Sequence, residues 1–428
     1  MKWIGNMKTT WPFYGWTIVG AAFLIGFTQA GVFQGVLAIF LNPMASEFGW
    51  SRSTITGAIT AGSIFGGLMA PFIGARWDRY GPRVMSFFGI LILSAGLFLM
   101  AFMDSAWEFY LYFGTGRGIA AGLLSLVSLV TVSNWFIKKR GRATGIAFLG
   151  PAVGGAVLPL VAQVLILTHG WRVAWAGLGI IVFLLSGLPA AFFLRRRPED
   201  MGLLPDGVPP EEKIGRQDGL LEARAKNNAP RVSEPIWSTA DTLRTPAFWM
   251  LTTINCLLVF VASGITFHFY PFMTDQGVPA TSAVVVISLM SIFSAAGSLV
   301  WGYLAERFNI KKVLIIQFVL AGLFIALMSR AVHSGVIFAY GALFGLIVGG
   351  LFPTITVVWA IFYGRISLGK IQGLVNPVRL LANAAGPIVT ALFFDLSGSY
   401  TIPFCGFIGI CFLSALLVQL TGRPRGSP

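Results

Sequence analysis

The chain has 428 residues, 56% of them hydrophobic and 11% charged, with a formal net charge of +14. Soluble domains carry about 25% charged residues, so the composition excludes an ordinary soluble enzyme or binding domain and points to a lipid bilayer. The three cysteines, Cys256, Cys405 and Cys411, all lie in apolar segments and read as small core residues, not as a disulfide framework or metal site.

Apolar runs of about 20 residues are long enough to span a bilayer as helices. Twelve are predicted, near 14–41, 53–75, 84–103, 107–133, 143–167, 173–194, 247–272, 282–304, 312–330, 334–358, 369–393 and 400–420. The first is far longer than the roughly 7–15 residues of a signal-peptide core, so no cleavable leader is expected. These spans sort the basic residues. Of the 30 Lys and Arg, Arg52, Arg172 and Arg330 fall on one side, Arg117 and Arg379 fall inside spans, and the remaining 25 fall on the other side. By the positive-inside rule both termini are cytoplasmic, in an inner or plasma membrane. The positive balance is thus a topology signal, and nucleic acid is not an expected partner.

The first span offers the amides of Gln29 and Gln34. Between the second and third spans lies GARWDRYGPR, residues 74–83, with Asp78, Arg79 and Arg83 at helix ends. Carboxylates there can pair with basic neighbours and helix N-termini and hold one conformation. The fourth span carries Arg117 in GTGRGIAAG, about ten residues from the outer end and too deep to snorkel. It serves either an anion or the carbonyls of neighbouring helices. The fifth span opens with WFIKKRGRATGIA, residues 135–147. It continues with Gly150, Gly154 and Gly155 and with Pro151 and Pro159, a pattern that permits close helix approach and bending. Residues 196–245 mix Gly, Pro and charges with little apolar periodicity. They read as a cytoplasmic linker with a short surface helix near 233–244, between a unit at 1–195 and a unit at 246–428.

The second unit repeats the first. GYLAERFNIK, residues 302–311, aligns with residues 74–83 at an offset of 228, so Glu306, Arg307 and Lys311 answer Asp78, Arg79 and Arg83. The same offset pairs Arg142 with Lys370, Gly145 with Gly373 and Pro159 with Pro387. Duplicated six-helix units are a common build of secondary transporters, which hold substrate between the units near the midplane. On the seventh span, GITFHFYPF contains His268, the one histidine clearly inside a span; His169 and His333 read as outer-loop residues. Imidazole titrates near pH 6.5, which suits a proton carrier, although a lone histidine beside aromatics also serves as a hydrogen-bonded core residue.

On the eleventh span, GLVNPVRLLANAAGP, residues 373–387, places Arg379 in an apolar run. An arginine cannot shed its proton at ordinary pH, and at bilayer depth it is costly. Asn376 lies three residues before it and Asn383 four after, which puts all three on one helical face. Pro377 and the pair Gly386-Pro387 are expected to weaken the local helix and expose carbonyls. No Asp or Glu lies in the middle of any span, so an exogenous anion is the expected partner of Arg379.

The loop GARWDRYGPR and its second copy resemble the signature loop of the major facilitator superfamily. WFIKKRGRATGIA resembles the motif that opens the fifth helix of monocarboxylate transporters, and Tyr14-Gly15-Trp16 is a weaker echo of that family. The resemblance implies an all-α fold of twelve transmembrane helices in two pseudo-symmetric six-helix bundles. It also implies a conformational latch role for Asp78, Arg79, Arg83, Glu306, Arg307 and Lys311. Arg117 resembles the superfamily's fourth-helix arginine, and the glycine-proline pattern of the fifth helix resembles one linked to antiport. Arg379 matches in position the eleventh-helix lysine thought to bind carboxylate in the oxalate:formate antiporter. The chain departs from the monocarboxylate family at Ser298, where the family carries an eighth-helix arginine, and lacks the first-helix lysine of animal members.

The expected function is secondary active transport of a small monocarboxylate such as lactate or pyruvate, bound by Arg379 with Asn376, Asn383, Arg117, Gln34 and Ser298. One fixed cation favours a monovalent anion over oxalate, because a second carboxylate would be buried without a partner. Proton symport through His268 is the favoured coupling, since a co-moving proton makes the loaded site neutral. Carboxylate exchange or efflux is the alternative. A sensor would need a folded signalling domain, and the linker and tail supply none. No nucleophile–base pair, carboxylate dyad, metal-ligand cluster or nucleotide-binding loop is present, so neither an enzyme nor a cofactor or metal is expected. A monomer is expected.

Overall fold

The computed structural model describes residues 13–424 except 33, 125–126, 128–130, 137–138, 204–205, 207–236, 331–335, 365–367 and 423. The described residues form helices and no strands. Helices α1 (Gly15–Gln29) and α2 (Gln34–Phe48) share the first span and are separated by a single turn at Ala30–Val32. Helix α3 (Arg52–Leu99) carries two spans that part at Gly81, whose φ of 79° is readily reached by a residue without a Cβ. Then follow α4 (Ala106–Ile119), α5 (Val132–Trp135), α6 (Arg140–His169), α7 (Trp171–Val182) and α8 (Leu188–Phe193).

The expected linker lies mostly outside the described residues. Its short helix is α9 (Thr239–Arg244), which begins where the Ser238 hydroxyl accepts from the Asp241 N–H. Helices α10 (Pro246–Asp275), α11 (Ala280–Arg307), α12 (Ile310–Met328), α13 (Ile337–Gly349) and α14 (Leu351–Tyr363) come next. The last two are α15 (Leu368–Ser397) and α16 (Thr401–Leu420). Among the described residues, ten helical segments are long and apolar enough to cross a membrane. The expected second and fourth spans each run through residues whose side chains or backbone are not described. Exposed Leu299, Leu327, Leu396 and Leu416 give the outside an apolar surface suited to acyl chains.

The repeat predicted from the charged loops extends to the helices themselves. Displaced by 228 residues, α6 (Arg140–His169) has the same bounds as α15 (Leu368–Ser397), and the start of α3 falls on the start of α11. In each half the first span packs against the fifth. A Cβ at Gly150 or Gly154 of α6 would overlap the carbonyls of Phe23 and Phe27 on α1, so these glycines set the approach. In the second half Gly386 of α15 plays this part, pressed against the Phe260 carbonyl of α10.

The halves meet along α3 and α15, α6 and α11, and α2 and α10. Across this seam the Asn42 amide donates to Thr274 Oγ1 at 3.0 Å, Thr60 Oγ1 to the Ala384 carbonyl at 2.9 Å, and Ser288 Oγ to the Ala156 carbonyl at 2.7 Å. These contacts lie between the charge-poor face and the middle of the spans.

Helix α15 stays continuous from Leu368 to Ser397 through both Pro377 and Pro387, so these expected weak points remove N–H donors without ending the helix. One expectation needs correction. Of the cysteines, Cys411 is buried and Cys256 half-buried, but Cys405 is exposed on the apolar outside and is not a core residue.

Candidate functional site

Arg379 is half-buried on α15, with Asn376 exposed and Asn383 half-buried beside it. At 100° per residue the three side chains fall within an arc of about 60°. The guanidinium lies in the neighbourhood of Cys256 of α10. Two turns further along, Gly386 has no side chain and lets α15 lie directly on the backbone of α10 at Phe260 and Gly264. Proline has no N–H to give, so Pro387 leaves the carbonyl of Asn383 without its helical donor. The stripe therefore offers cationic, amide and carbonyl groups on one face. It runs alongside seam contacts of the same helix: Leu380 packs against Gly67 of α3, and Ala384 accepts from Thr60 one turn further along.

His268 lies elsewhere. It is completely buried on α10, its Nε2 2.9 Å from the Pro387 carbonyl and its Nδ1 3.1 Å from the Tyr400 hydroxyl. A carbonyl can only accept, so Nε2 carries the proton and Nδ1 accepts from Tyr400. Pro387 is two helical turns, about 12 Å, from Arg379. The imidazole is thus sealed within the helix packing on the charge-poor side of the arginine.

Arg117 is buried on α4, and its described bonds stay within the first half. Its Nη1 donates to the Val32 carbonyl at 2.9 Å, in the turn between α1 and α2, and its Nε to Ser63 Oγ at 3.3 Å. The Gln29 amide bonds the Ala120 carbonyl beside it. A helix break leaves carbonyls without donors, and Arg117 satisfies one of them. Of the two readings the sequence left open, these bonds favour the structural one. Ser298 is half-buried on α11, and the Gln34 side chain lies outside the described residues.

In the charged loops Arg79, Arg83 and Arg307 are exposed, with Arg79 over the ring of Tyr80 and Arg307 over that of Tyr303. Lys311 Nζ donates to the Thr421 carbonyl. The side chains of Asp78 and Glu306 lie outside the described residues.

A cluster that the sequence reading missed closes the charge-poor end of the seam. Arg52, the first residue of α3, pairs with Asp275 at the end of α10 (Nη2 to Oδ2, 2.8 Å) and donates to the Tyr400 hydroxyl at the start of α16. Its guanidinium also stacks 3.9 Å from the centroid of Phe394. Asp395 of α15 accepts from the backbone N–H groups of Arg52 and Ser53 at 3.3 and 3.0 Å, capping α3 from the other half. Burial alone disfavours the Arg52 charge, but its contacts with Asp275 and Tyr400 outweigh that cost and hold its pKa above the ordinary value. A usable signal was present: Arg52 is one of only three basic residues assigned to that side.

Two repeated halves of membrane helices, with cationic and amide groups on a face beside the seam, define a membrane carrier and not an enzyme. The sequence model of the Major Facilitator Superfamily matches residues 18–376 and 256–428, and the chain belongs to that family of transporters. It is 25% identical to monocarboxylate transporter 12 of Rattus norvegicus, over 94% of this chain and 85% of that one. It is also 25% identical to the oxalate:formate antiporter of Oxalobacter formigenes, over 73% of this chain and 68% of that one. Among solved structures, a D-xylose-proton symporter superposes with a TM-score of 0.72 at 13% identity, covering 96% of this chain and 98% of that one, a likeness of fold alone.

Proposed function

We propose that this transporter moves small monocarboxylates, lactate- or pyruvate-like, across an inner or plasma membrane by alternating access, with both termini cytoplasmic. The observation that carries the reading is the stripe Asn376–Arg379–Asn383 on α15, a helix that meets the other half at Ala384. A guanidinium binds a carboxylate through two parallel N–H donors, and the two asparagines add neutral donors for a keto or hydroxyl oxygen. The relatives named for monocarboxylates and for oxalate and formate support an organic anion as substrate. Arg117 holds the α1–α2 turn and shapes the first half, while Gln34 and Ser298 remain candidate secondary contacts.

Proton symport is the proposed coupling, with His268 as the titrating group. Its chain through Tyr400 to Arg52 leads to the charge-poor face, which the charge asymmetry assigns to the outside. Asp78, Arg79, Arg83, Glu306, Arg307 and Lys311 would latch the cytoplasmic face in the opposite state. Carboxylate exchange is the second reading, favoured by the positional match of Arg379 to the antiporter's lysine.

The deciding experiment is uptake into proteoliposomes of a carboxylate panel, with and without a proton gradient, against oxalate counterflow. Gradient-driven uptake of monocarboxylates supports symport. Counterflow insensitive to pH supports exchange, and no carboxylate transport in either format rejects both.

A further inference from the structure

The internal repeat shows that the Arg52 cluster is a rearranged copy of a contact that the first half keeps to itself. At the offset of 228, Asp275 corresponds to Glu47 and Tyr400 to Arg172. In the first half Arg172 Nη2 meets Glu47 Oε1 at 2.8 Å, Arg172 Nη1 donates to the Met103 carbonyl at 2.7 Å, and Trp171 Nε1 donates to Glu47 Oε2 at 2.6 Å. That ion pair ties the ends of the first and sixth spans within one bundle, and rocking of one bundle against the other leaves it intact.

In the second half the arginine has become Tyr400, so the corresponding carboxylate has no arginine of its own bundle in that place. Asp275 instead takes Arg52, which reaches it from the other bundle and bonds the Tyr400 hydroxyl on the way. The position matching Arg52 in the second half is Ala280, so the exchange has no counterpart.

We propose that Arg52 is the latch of the outer gate: a fixed cation on one half that closes the transport path by binding Asp275, Tyr400 and the Phe394 ring on the other. Asp395 completes the closure by capping the N-terminus of α3, where a carboxylate is favoured by the free N–H groups and the helix dipole. Every one of these contacts crosses the seam and must break when the outer side opens. The ion pair retains some solvent access, with side chains 13% and 32% exposed. Pairs of this kind contribute modestly, so the latch holds the gate without locking it. The inference rests on alternating access between the halves and is independent of what Arg379 binds.

The test reads opening directly and uses no substrate. In a chain freed of Cys256, Cys405 and Cys411, Ser288→Cys places a thiol in the closed seam, on the residue that now bonds Ala156. An impermeant maleimide added outside intact cells should modify it slowly. Arg52→Gln should speed modification about fivefold, and Asp275→Asn should do the same, so either variant serves if the other fails to reach the membrane. Tyr400→Arg, with Arg52 intact, should also speed it, because Asp275 then gains a partner within its own half. Exchanging the charges, Arg52→Asp with Asp275→Arg, should restore slow labelling. Unchanged labelling in both Arg52→Gln and Asp275→Asn overturns the latch. Failure of the carboxylate panel would leave this result untouched.

Discussion

His268 donates from Nε2 to the carbonyl of Pro387, 2.9 Å away, while its other ring nitrogen accepts from Tyr400, so the neutral imidazole has both positions filled. Protonation would add an N–H at Nδ1 facing a hydroxyl that already accepts from Arg52. Arg52 from α3, Asp395 from α15, Tyr400 from α16 and Asp275 on its own helix are the charged and titratable groups around this chain. Loading a proton therefore sets a second cation against Arg52 and strains the closed state. If His268 carries the coupling proton, His268→Gln should abolish the acceleration of uptake by an inward proton gradient and retain counterflow. Gradient-driven uptake that survives in this variant assigns the proton elsewhere.

The approach of α15 to α10 gives a stability prediction with a built-in control. A Cβ at Gly386 would overlap the Phe260 carbonyl and Ser263 Oγ, whereas one at Gly373, on the same helix, meets nothing within 4 Å. Gly386→Ala should destabilise the detergent-solubilised protein by about 1–3 kcal/mol, the usual cost of overpacking. Gly373→Ala should be neutral or stabilising by up to about 1 kcal/mol through helix propensity. Thermal unfolding of the pair decides the matter, and equal melting temperatures would mean that α10 and α15 are not in contact as described.

Much of this architecture is legible in the sequence, and the reason is the bilayer. It demands continuous apolar helices, so span positions follow from hydropathy, and the duplicated loops at 74–83 and 302–311 give the repeat whose offset the helix bounds reproduce. The Asn376–Arg379–Asn383 face follows from helical spacing alone. Partners across the seam are another matter. Arg52 and Asp275 are far apart in sequence, and helical periodicity says which face a residue occupies but not which helix meets it. The same gap hid the bonds of Arg117 to Val32 and Ser63, and Gly386 read only as a weak point of α15 because its neighbour on α10 was unknown. Comparing the two copies position by position would have exposed Tyr400 in the place of Arg172.

Orientation is open to direct measurement. The charge asymmetry predicts that Gln276, exposed after α10, lies outside and that Ser238, exposed before α9, lies in the cytoplasm. In the cysteine-free background Gln276→Cys should react with an impermeant maleimide on intact cells, and Ser238→Cys should react only after permeabilisation. The reverse pattern would invert the topology and turn the Arg52 cluster into an inner gate.

The stripe on α15 yields the sharpest prediction about substrate. If Arg379 receives the carboxylate, Arg379→Ala should abolish transport while the protein still inserts and folds. Arg379→Lys should keep partial activity, because the charge survives and the two-pronged donor geometry does not. A structural role predicts instead that Arg379→Ala expresses poorly and aggregates, since bonds within the protein would be lost. Ligand linkage separates the two without any transport assay. A substrate present at one hundred times its dissociation constant stabilises the folded state by about 2.7 kcal/mol. Transported carboxylates should therefore raise the melting temperature of the wild-type protein in detergent and leave that of Arg379→Ala unmoved. Asn376→Ala and Asn383→Ala should shrink the shift without removing it, because each deletes one neutral donor beside a retained cation. Equal stabilisation of wild type and Arg379→Ala by a transported carboxylate would place the anion elsewhere along the seam.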